Sequence, residues 1–295
     1  MFPVLIFLLL LIPESSQAAQ PLPTLQKLAE GVYAYIGVSG NSNSGFIMTQ
    51  DGVVVVDSQM NPELAQGMLA EIRKVTDKPL LYLINTHFHG DHVFANHVFT
   101  GVKAIIAHER TKQVLSERGD ALLNEFKKFV GEEASFGIRI TLPTQTITAE
   151  KTSLEVKGQT IDLLYLGKGH TDGDIVVYLP KERIAFTGDL VYVERLPWLS
   201  DANTHEWLIT LNKLKTLAID TMVPGHGHVG NKDSIVQFEH YLTDLRAEVF
   251  KSYLKGTPLE EAKKAIQLSP YQKYLKYQEW LPYNIEHVYH EIKGS

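Results

Sequence analysis

The chain has no cysteine among its 295 residues. Disulfides and thiolate metal ligands are therefore excluded from every later argument. So is a lipid-anchored lipoprotein, which needs a cysteine at its cleavage site. There is no surplus of positive charge either. Lys and Arg number 28 against 34 Asp and Glu, a net charge of −6. Nothing electrostatic draws such a chain to nucleic acid or to an anionic membrane. Long apolar runs are also scarce. Val4–Ile12 is wholly apolar, but a spanning helix needs about 20 residues. Pro13, Glu14 and small polar residues follow it, and Ser16-Gln17-Ala18 or Gln17-Ala18-Ala19 fits a small-x-small cleavage site. Residues 1–19 thus read as a secretory signal peptide, which places the mature protein in the periplasm or outside the cell, with no stable membrane insertion. The leading residues carry no Lys or Arg, and an uncleaved N-terminal anchor is the alternative. Pro/Gly/Ser-rich linkers and internal repeats are missing as well, so residues 20–295 read as one domain ending in helices.

What is present is a mixture of strands and helices. Gly31–Gly37 alternates and is rich in β-formers, and Ser44–Thr49 and Gly52–Asp57 flank a D-G hairpin signal. Val53–Val56 is apolar throughout, as a central strand should be. Asn61 caps a helix that Pro62 opens and that runs to about Val75. Leu80–Ile84 is the next strand, followed by a helix near Val93–Phe99, a strand at Lys103–Ala107 and a charged surface helix over His108–Val130. β-rich pieces fill Ile138–Gly167, turning at Gly158. Ile175–Leu179 and Ile184–Phe186 form a hairpin, Thr204–Leu217 is an amphipathic helix, and helices fill the chain from Lys232.

The segment that carries chemistry is Thr86–Ala95, T-H-F-H-G-D-H-V-F-A. It places His87, His89, Asp91 and His92 at the end of the strand Leu80–Ile84. Imidazole nitrogens and a carboxylate suit Zn²⁺ and similar divalent ions. In extended chain His87 and His89 point the same way, because side chains alternate with period two. If Gly90 starts a helical turn, Asp91 and His92 swing to a neighbouring direction. The spacing suggests two adjacent metal positions. In the second half, His170, Asp189 and His226 each follow an apolar run and have a neighbouring Gly, which permits close backbone approach. His97, His108, His205, His240, His287 and His290 fall in helical or surface contexts. His228 stays ambiguous.

The series H-x-H-x-D-H at His87–His92, G-H-T at Gly169–Thr171, G-D at Gly188-Asp189 and P-G-H-G at Pro224–Gly227 resembles the metallo-β-lactamase superfamily, over roughly Leu25 to Thr243. The resemblance implies a single α/β domain, a four-layer αββα sandwich. It implies that His87, His89 and His170 hold a first zinc, that Asp91, His92 and His226 hold a second, and that Asp189 bridges both. A structural zinc site, usually closed by four ligands and often built with Cys, fits this set poorly.

The resemblance also implies a reaction. Two zinc ions per chain lower the pKa of a bridging water toward about 7, and the hydroxide attacks a carbonyl of a small-molecule substrate. Asp91 then acts as a catalytic residue, orienting the hydroxide or shuttling its proton. Gly169–Pro180, Asp201-Ala202-Asn203 with Trp207, and Pro224–Asp233 resemble true zinc β-lactamases, so hydrolysis of cyclic amides is the leading expectation. Three departures stand against it. Asp189 replaces the Cys ligand of those enzymes, Tyr192 stands where they commonly place a carboxylate-binding Lys, and His92 stands where they have a non-ligand. The zinc set is that of glyoxalase-II-like thioesterases, and Gly188–Trp198 is similar to secreted zinc hydrolases of quinoprotein systems. Non-heme iron persulfide dioxygenases use similar ligands, and a non-catalytic metal-binding protein is a further alternative. Tyr192, Arg195 and Trp198 are the candidate substrate contacts, with Leu196 and Leu199 completing an apolar wall. Arg195 either supplies the missing cation or makes a surface salt bridge.

Overall fold

Four consecutive valines, Val53–Val56, are buried on both faces, and the side chains that meet them define the layers. Val54 and Val56 join a core shared by two sheets, while Val53 and Val55 join one beneath a helix. The computed structural model describes residues 23–38, 40–133 and 135–294. The expected signal peptide, residues 1–19, lies outside the described residues.

The first sheet runs β1 (Thr24–Ala29), β2 (Val32–Ile36), β3 (Ser44–Met48), β4 (Val53–Val56), β5 (Leu80–Ile84), β6 (Ala104–His108) and β7 (Gln145–Ile147) in chain order. It is antiparallel up to β4 and parallel from there on. The second has the order β12 (Thr221–His226), β11 (Ile184–Tyr192), β10 (Val176–Leu179), β9 (Gln159–Leu164), β8 (Lys151–Val156), with only β11 and β12 parallel. Alternate residues of both sheets, including Ile84, Ile106, Leu163, Val177 and Phe186, fill the space between them. Helix α1 (Pro62–Val75) covers the outer face of the first sheet through Ala65, Met68 and Ile72. Helices α4 (Thr204–Leu214), α5 (Lys232–Leu254), α6 (Leu259–Ala265) and α7 (Tyr277–Gly294) cover the second, packing Trp207, Leu211, Leu242 and Ile285 against Val176 and Ala185. The αββα sandwich is thus present.

The sequence expectations hold closely at α1, where Asn61 accepts from the Leu64 amide at 3.0 Å, and at β5. They differ in four places. β1 is a strand where the sequence pattern gives no signal; its polar, half-exposed side chains mark an edge strand that pairs with β2. The helix expected near Val93–Phe99 is one α turn, α2 (Gly90–Val93), and a separate 3₁₀ turn, Asn96–Val98. β11 does not stop at Phe186 but continues to Tyr192, buried throughout. Helix α3 (Glu109–Val130) is not only a surface helix, since Leu115 is buried and Phe126 packs edge-on against Phe94 with ring centres 5.3 Å apart.

Candidate metal centre

The strand ends of both sheets meet at one edge. The Ile175 amide donates to the Thr86 carbonyl at 2.9 Å, and the Asn43 amide to the Gly225 carbonyl at 2.7 Å. These bonds fasten the two sheets' loops together. The loop after β5 delivers His87 and His89, α2 carries Asp91 and His92, the β9–β10 connection carries His170, β11 carries Asp189 within its second half, and β12 ends on His226. Glycine makes the approach possible at Gly225, where a Cβ would collide with the Asp189 carboxylate. It does so again at Gly188, whose φ of +50° puts it in the left-handed region against Thr86.

All seven expected residues come together, in two groups. His87, His89, His170 and Asp189 form one, and Asp91, His92 and His226 the other, each with its ligand-type atoms within 4.8 Å of one another. The Asp189 carboxylate faces both. Its Oδ2 lies 3.3 Å from His170 Nε2 and 3.9 Å from His87 Nε2 on one side, and 3.4 Å from His226 Nε2 on the other. Its Oδ1 lies 3.0 Å from His92 Nε2. Asp91 Oδ2 is 3.2 Å from His226 Nε2 and 3.7 Å from His92 Nε2.

The hydrogen-bond network assigns which imidazole nitrogens face inward. Asp57, which is 2% exposed, accepts at 2.8 Å from the Thr86 amide, the Thr86 hydroxyl and His92 Nδ1. The single hydroxyl hydrogen of Thr86 is thereby used, so Thr86 Oγ accepts from His87 Nδ1 at 3.1 Å. His89 Nε2 donates to Asp201 at 3.1 Å, and His226 Nδ1 lies against both the Gly40 carbonyl, at 3.1 Å, and the Arg195 guanidinium. His87 and His92 are each left with a bare Nε2 turned toward the Asp189 carboxylate, while His89 Nδ1 lies 2.7 Å from His170 Nε2. His87 Nε2, His92 Nε2 and Asp189 Oδ1 are buried with no hydrogen bond. Lone pairs facing a carboxylate repel unless cations lie between them, so this donor set fits divalent metal ions.

Electrostatics follow from this crowding. Burial and the neighbouring His92 hold His87 well below the usual imidazole range, and burial with His89 pushes His170 down to about 3. Burial acts the same way on His92, but Asp189, Asp91 and Asp57 outweigh it and raise that ring well above the usual range. Beside the site, Asp174 accepts from the Thr171 amide at 2.8 Å and hydroxyl at 2.7 Å, fixing the loop that presents His170. Its burial pushes its carboxyl up to about 7.

The expected substrate contacts divide. Trp198, 39% exposed, lines an open cleft of about 560 Å³ above the metal groups, with Met60, Phe94, Leu122, Phe126 and Trp280. Tyr192 also lines it, but it is buried, stacks on His226 at 5.1 Å and donates its hydroxyl to Asp189 Oδ2. Arg195 makes no surface salt bridge. It is 9% exposed, its guanidinium meets the Gly40 carbonyl and the His226 ring, and it lies 4.8 Å under the Trp280 ring centre. Leu196 and Leu199 are core residues, not a wall, because the chain after β11 turns inward. His228 is exposed beside Glu194, outside both groups.

Sequence reasoning missed Asp57 as a functional residue and gave Asp201 no role. The signal was present at Asp57, since an acidic side chain ending a run of four valines repeats the pattern of Asp189 after its own apolar run. The residues contributed by α3 and the C-terminal helices carry no such signal.

Comparison with known proteins gives consistent matches. The profile of the Metallo-beta-lactamase superfamily matches residues 37–226. A metallo-beta-lactamase type 2 of Bacillus sp. (strain 170) is 31% identical over 196 residues, covering 65% of this chain and 68% of that protein. A linear primary-alkylsulfatase of Pseudomonas sp. (strain ATCC 19151) is 24% identical across 84% of this chain, which spans about half of that longer protein (55%). Among solved structures, a metallo-beta-lactamase from Pontibacter korlensis superposes with a TM-score of 0.64 at 21% identity, over 75% of this chain and 99% of that one.

Proposed function

The chain belongs to the metallo-beta-lactamase superfamily of hydrolases, and we propose that it is a two-zinc enzyme that hydrolyses a carbonyl substrate, strained cyclic amides included. The observation that carries this reading is two groups of His and Asp side chains gathered around the Asp189 carboxylate at the floor of an open cleft, with His87 Nε2 and His92 Nε2 buried and bare against it. His87, His89 and His170 would hold one zinc and Asp91, His92 and His226 the other, with Asp189 between them. Bound there, zinc would supply a water acidified toward neutral pH and Lewis-acid polarisation of the carbonyl.

The remaining work falls to the chain itself. Asp91 has a side chain 29% exposed, the most open of the acidic groups in the centre. It is placed to orient the attacking water and accept its proton. The Tyr192 hydroxyl, bonded to Asp189, holds that carboxylate in the orientation that faces both groups. The aromatic walls limit water and favour an apolar ring or acyl group. No free cation stands at the position after Asp189 where lactamases keep a Lys, and Arg195 is engaged with Gly40 and His226. A substrate carboxylate loses a charge-assisted hydrogen bond there, about 1.5–3 kcal/mol. Lactam turnover is therefore weaker than a dedicated lactamase achieves.

A second reading, hydrolysis of an ester or thioester with an extended apolar group, is favoured by the aromatic cleft. The alkylsulfatase likeness, which reaches across 84% of this chain, supports the apolar group of that reading. Steady-state kinetics of the metal-loaded enzyme on a chromogenic cephalosporin, a lactone and a glutathione thioester test the proposal. Cleavage of the thioester but not the cephalosporin, at high enzyme, replaces the lactamase reading with the thioesterase one. Loss of no activity to a chelator rejects both. Export is proposed on the leader at residues 1–19, and N-terminal sequencing of secreted protein should begin near Ala19 or Gln20.

A further inference from the structure

The superfamily match ends at His226, yet the cleft does not. Lys276, just before α7, and Trp280, in its first turn, line it together with Trp198. Their placement is fixed by several independent bonds. The Leu275 amide donates to the Glu194 carbonyl at 2.8 Å, and the Leu196 amide to the Leu275 carbonyl at 3.0 Å. The buried Asn284 donates to the Pro197 carbonyl at 3.1 Å and meets Tyr241 at 2.8 Å. The C-terminal helix is thus fastened to the segment that immediately follows the strand bearing Asp189. Arg195 completes the connection, with one face under Trp280 and its guanidinium against the His226 ring.

The outer surface of this segment is unusually apolar. Trp198 and Trp280 meet at 5.4 Å, Tyr283 stands 6.3 Å from Trp198, and Trp198, Leu275 and Tyr283 are exposed by 39%, 47% and 59%. Large side chains left in water beside an open cleft, and continuous with its lining, mark a surface shaped for a ligand. Phe126 and Leu122 of α3 also line the cleft, while Phe126 is anchored on Phe94.

Resting on the hydrolase reading, we propose that the C-terminal segment is the specificity element of this enzyme. The aromatic pair Trp198 and Trp280 holds an apolar acyl or alkyl group of the substrate. It does so while the scissile carbonyl reaches the metal groups below. The preferred substrates carry a long apolar group, and small hydrophilic substrates bind poorly.

The test uses the full metal-loaded chain and a homologous series of lactones with progressively longer alkyl side chains. Each added methylene should raise kcat/KM about two- to fourfold, through KM, until the wall is covered. Trp280→Ala should flatten that dependence, and Trp280→Phe, which keeps an aromatic face, should restore most of it. Binding without turnover is read by quenching of tryptophan emission with the matching hydroxy acids, because Trp207, the third tryptophan, is fully buried. Quenching should strengthen with chain length and weaken in Trp280→Ala. Length-dependent quenching with no lactone, thioester or cephalosporin cleaved leaves the apolar wall standing and rejects the carbonyl-hydrolase reading. Cleavage with no length dependence, or with the same dependence in Trp280→Ala, keeps the hydrolase and overturns the wall. Absence of length dependence in both readouts overturns it as well.

Discussion

Asp57→Asn isolates the contribution of one carboxylate to both metal positions. The Asp57 carboxylate accepts three bonds of 2.8 Å, from the Thr86 amide, the Thr86 hydroxyl and His92 Nδ1. Asn keeps the volume and tolerates the left-handed φ of +58° as well as Asp does, so the backbone is unstrained. Its amide oxygen still accepts from the Thr86 amide. Its amide nitrogen cannot accept from His92, and by donating to Thr86 Oγ it competes with His87 for that oxygen. One charge-assisted bond is lost outright, worth about 1.5–3 kcal/mol, or roughly a ten- to hundredfold fall in metal affinity at the His92 group. The His87 group should weaken less, because its bond to Thr86 is only rerouted. Competition of metal-free protein against a chromophoric chelator measures both affinities, with urea melts as a check on folding. Two affinities unchanged within threefold, in a variant that folds, would refute the assignment of Asp57 as the residue that orients these rings.

Three further outcomes are expected. Asp174 has its folded-state pKa raised from 3.8 to about 7 by burial, so its contribution to stability is present below the unfolded value and is lost as pH rises toward 7. Asp174→Asn mimics the protonated acid; in urea melts of metal-free protein its stability relative to the parent should rise by about 2–3 kcal/mol between pH 5 and pH 8, and a constant difference contradicts this. Asp189→Ala should lower both metal content and rate, because its oxygens face both groups; metal analysis beside kinetics checks it, and retention of full content counts against the bridging role. Metal affinity should fall in acid, since the imidazoles must be neutral to bind, with His92, whose pKa is raised, yielding first; a flat pH profile by chelator competition would speak against imidazole ligation.

Most of the centre is legible in the sequence because several ligand-type residues follow an apolar run, and apolar runs are visible in one dimension. His87, His170, Asp189 and His226 each follow such a run. Asp57 ends its strand in the same manner, but its role depends on reaching Thr86 and His92 across the loop, which only the fold reveals. The cleft was harder. Arg195 beside Glu194 reads equally as a surface ion-pair residue, yet Trp280, more than eighty residues later, covers it. The aromatic walls come from α3 and α7, whose apolar positions resemble those of any helix packed on a core. Edge strand β1 escaped for the opposite reason, because its residues alternate too weakly to signal a strand.

On the two-zinc reading, both metal positions act together in one reaction. The most direct test is the hydrolysis rate of metal-free protein as zinc is added stepwise. The rate should climb to a plateau at about two equivalents per chain, as a shared-carboxylate two-metal site requires. A plateau at one equivalent, or activity that appears only with iron and consumes oxygen, would contradict it.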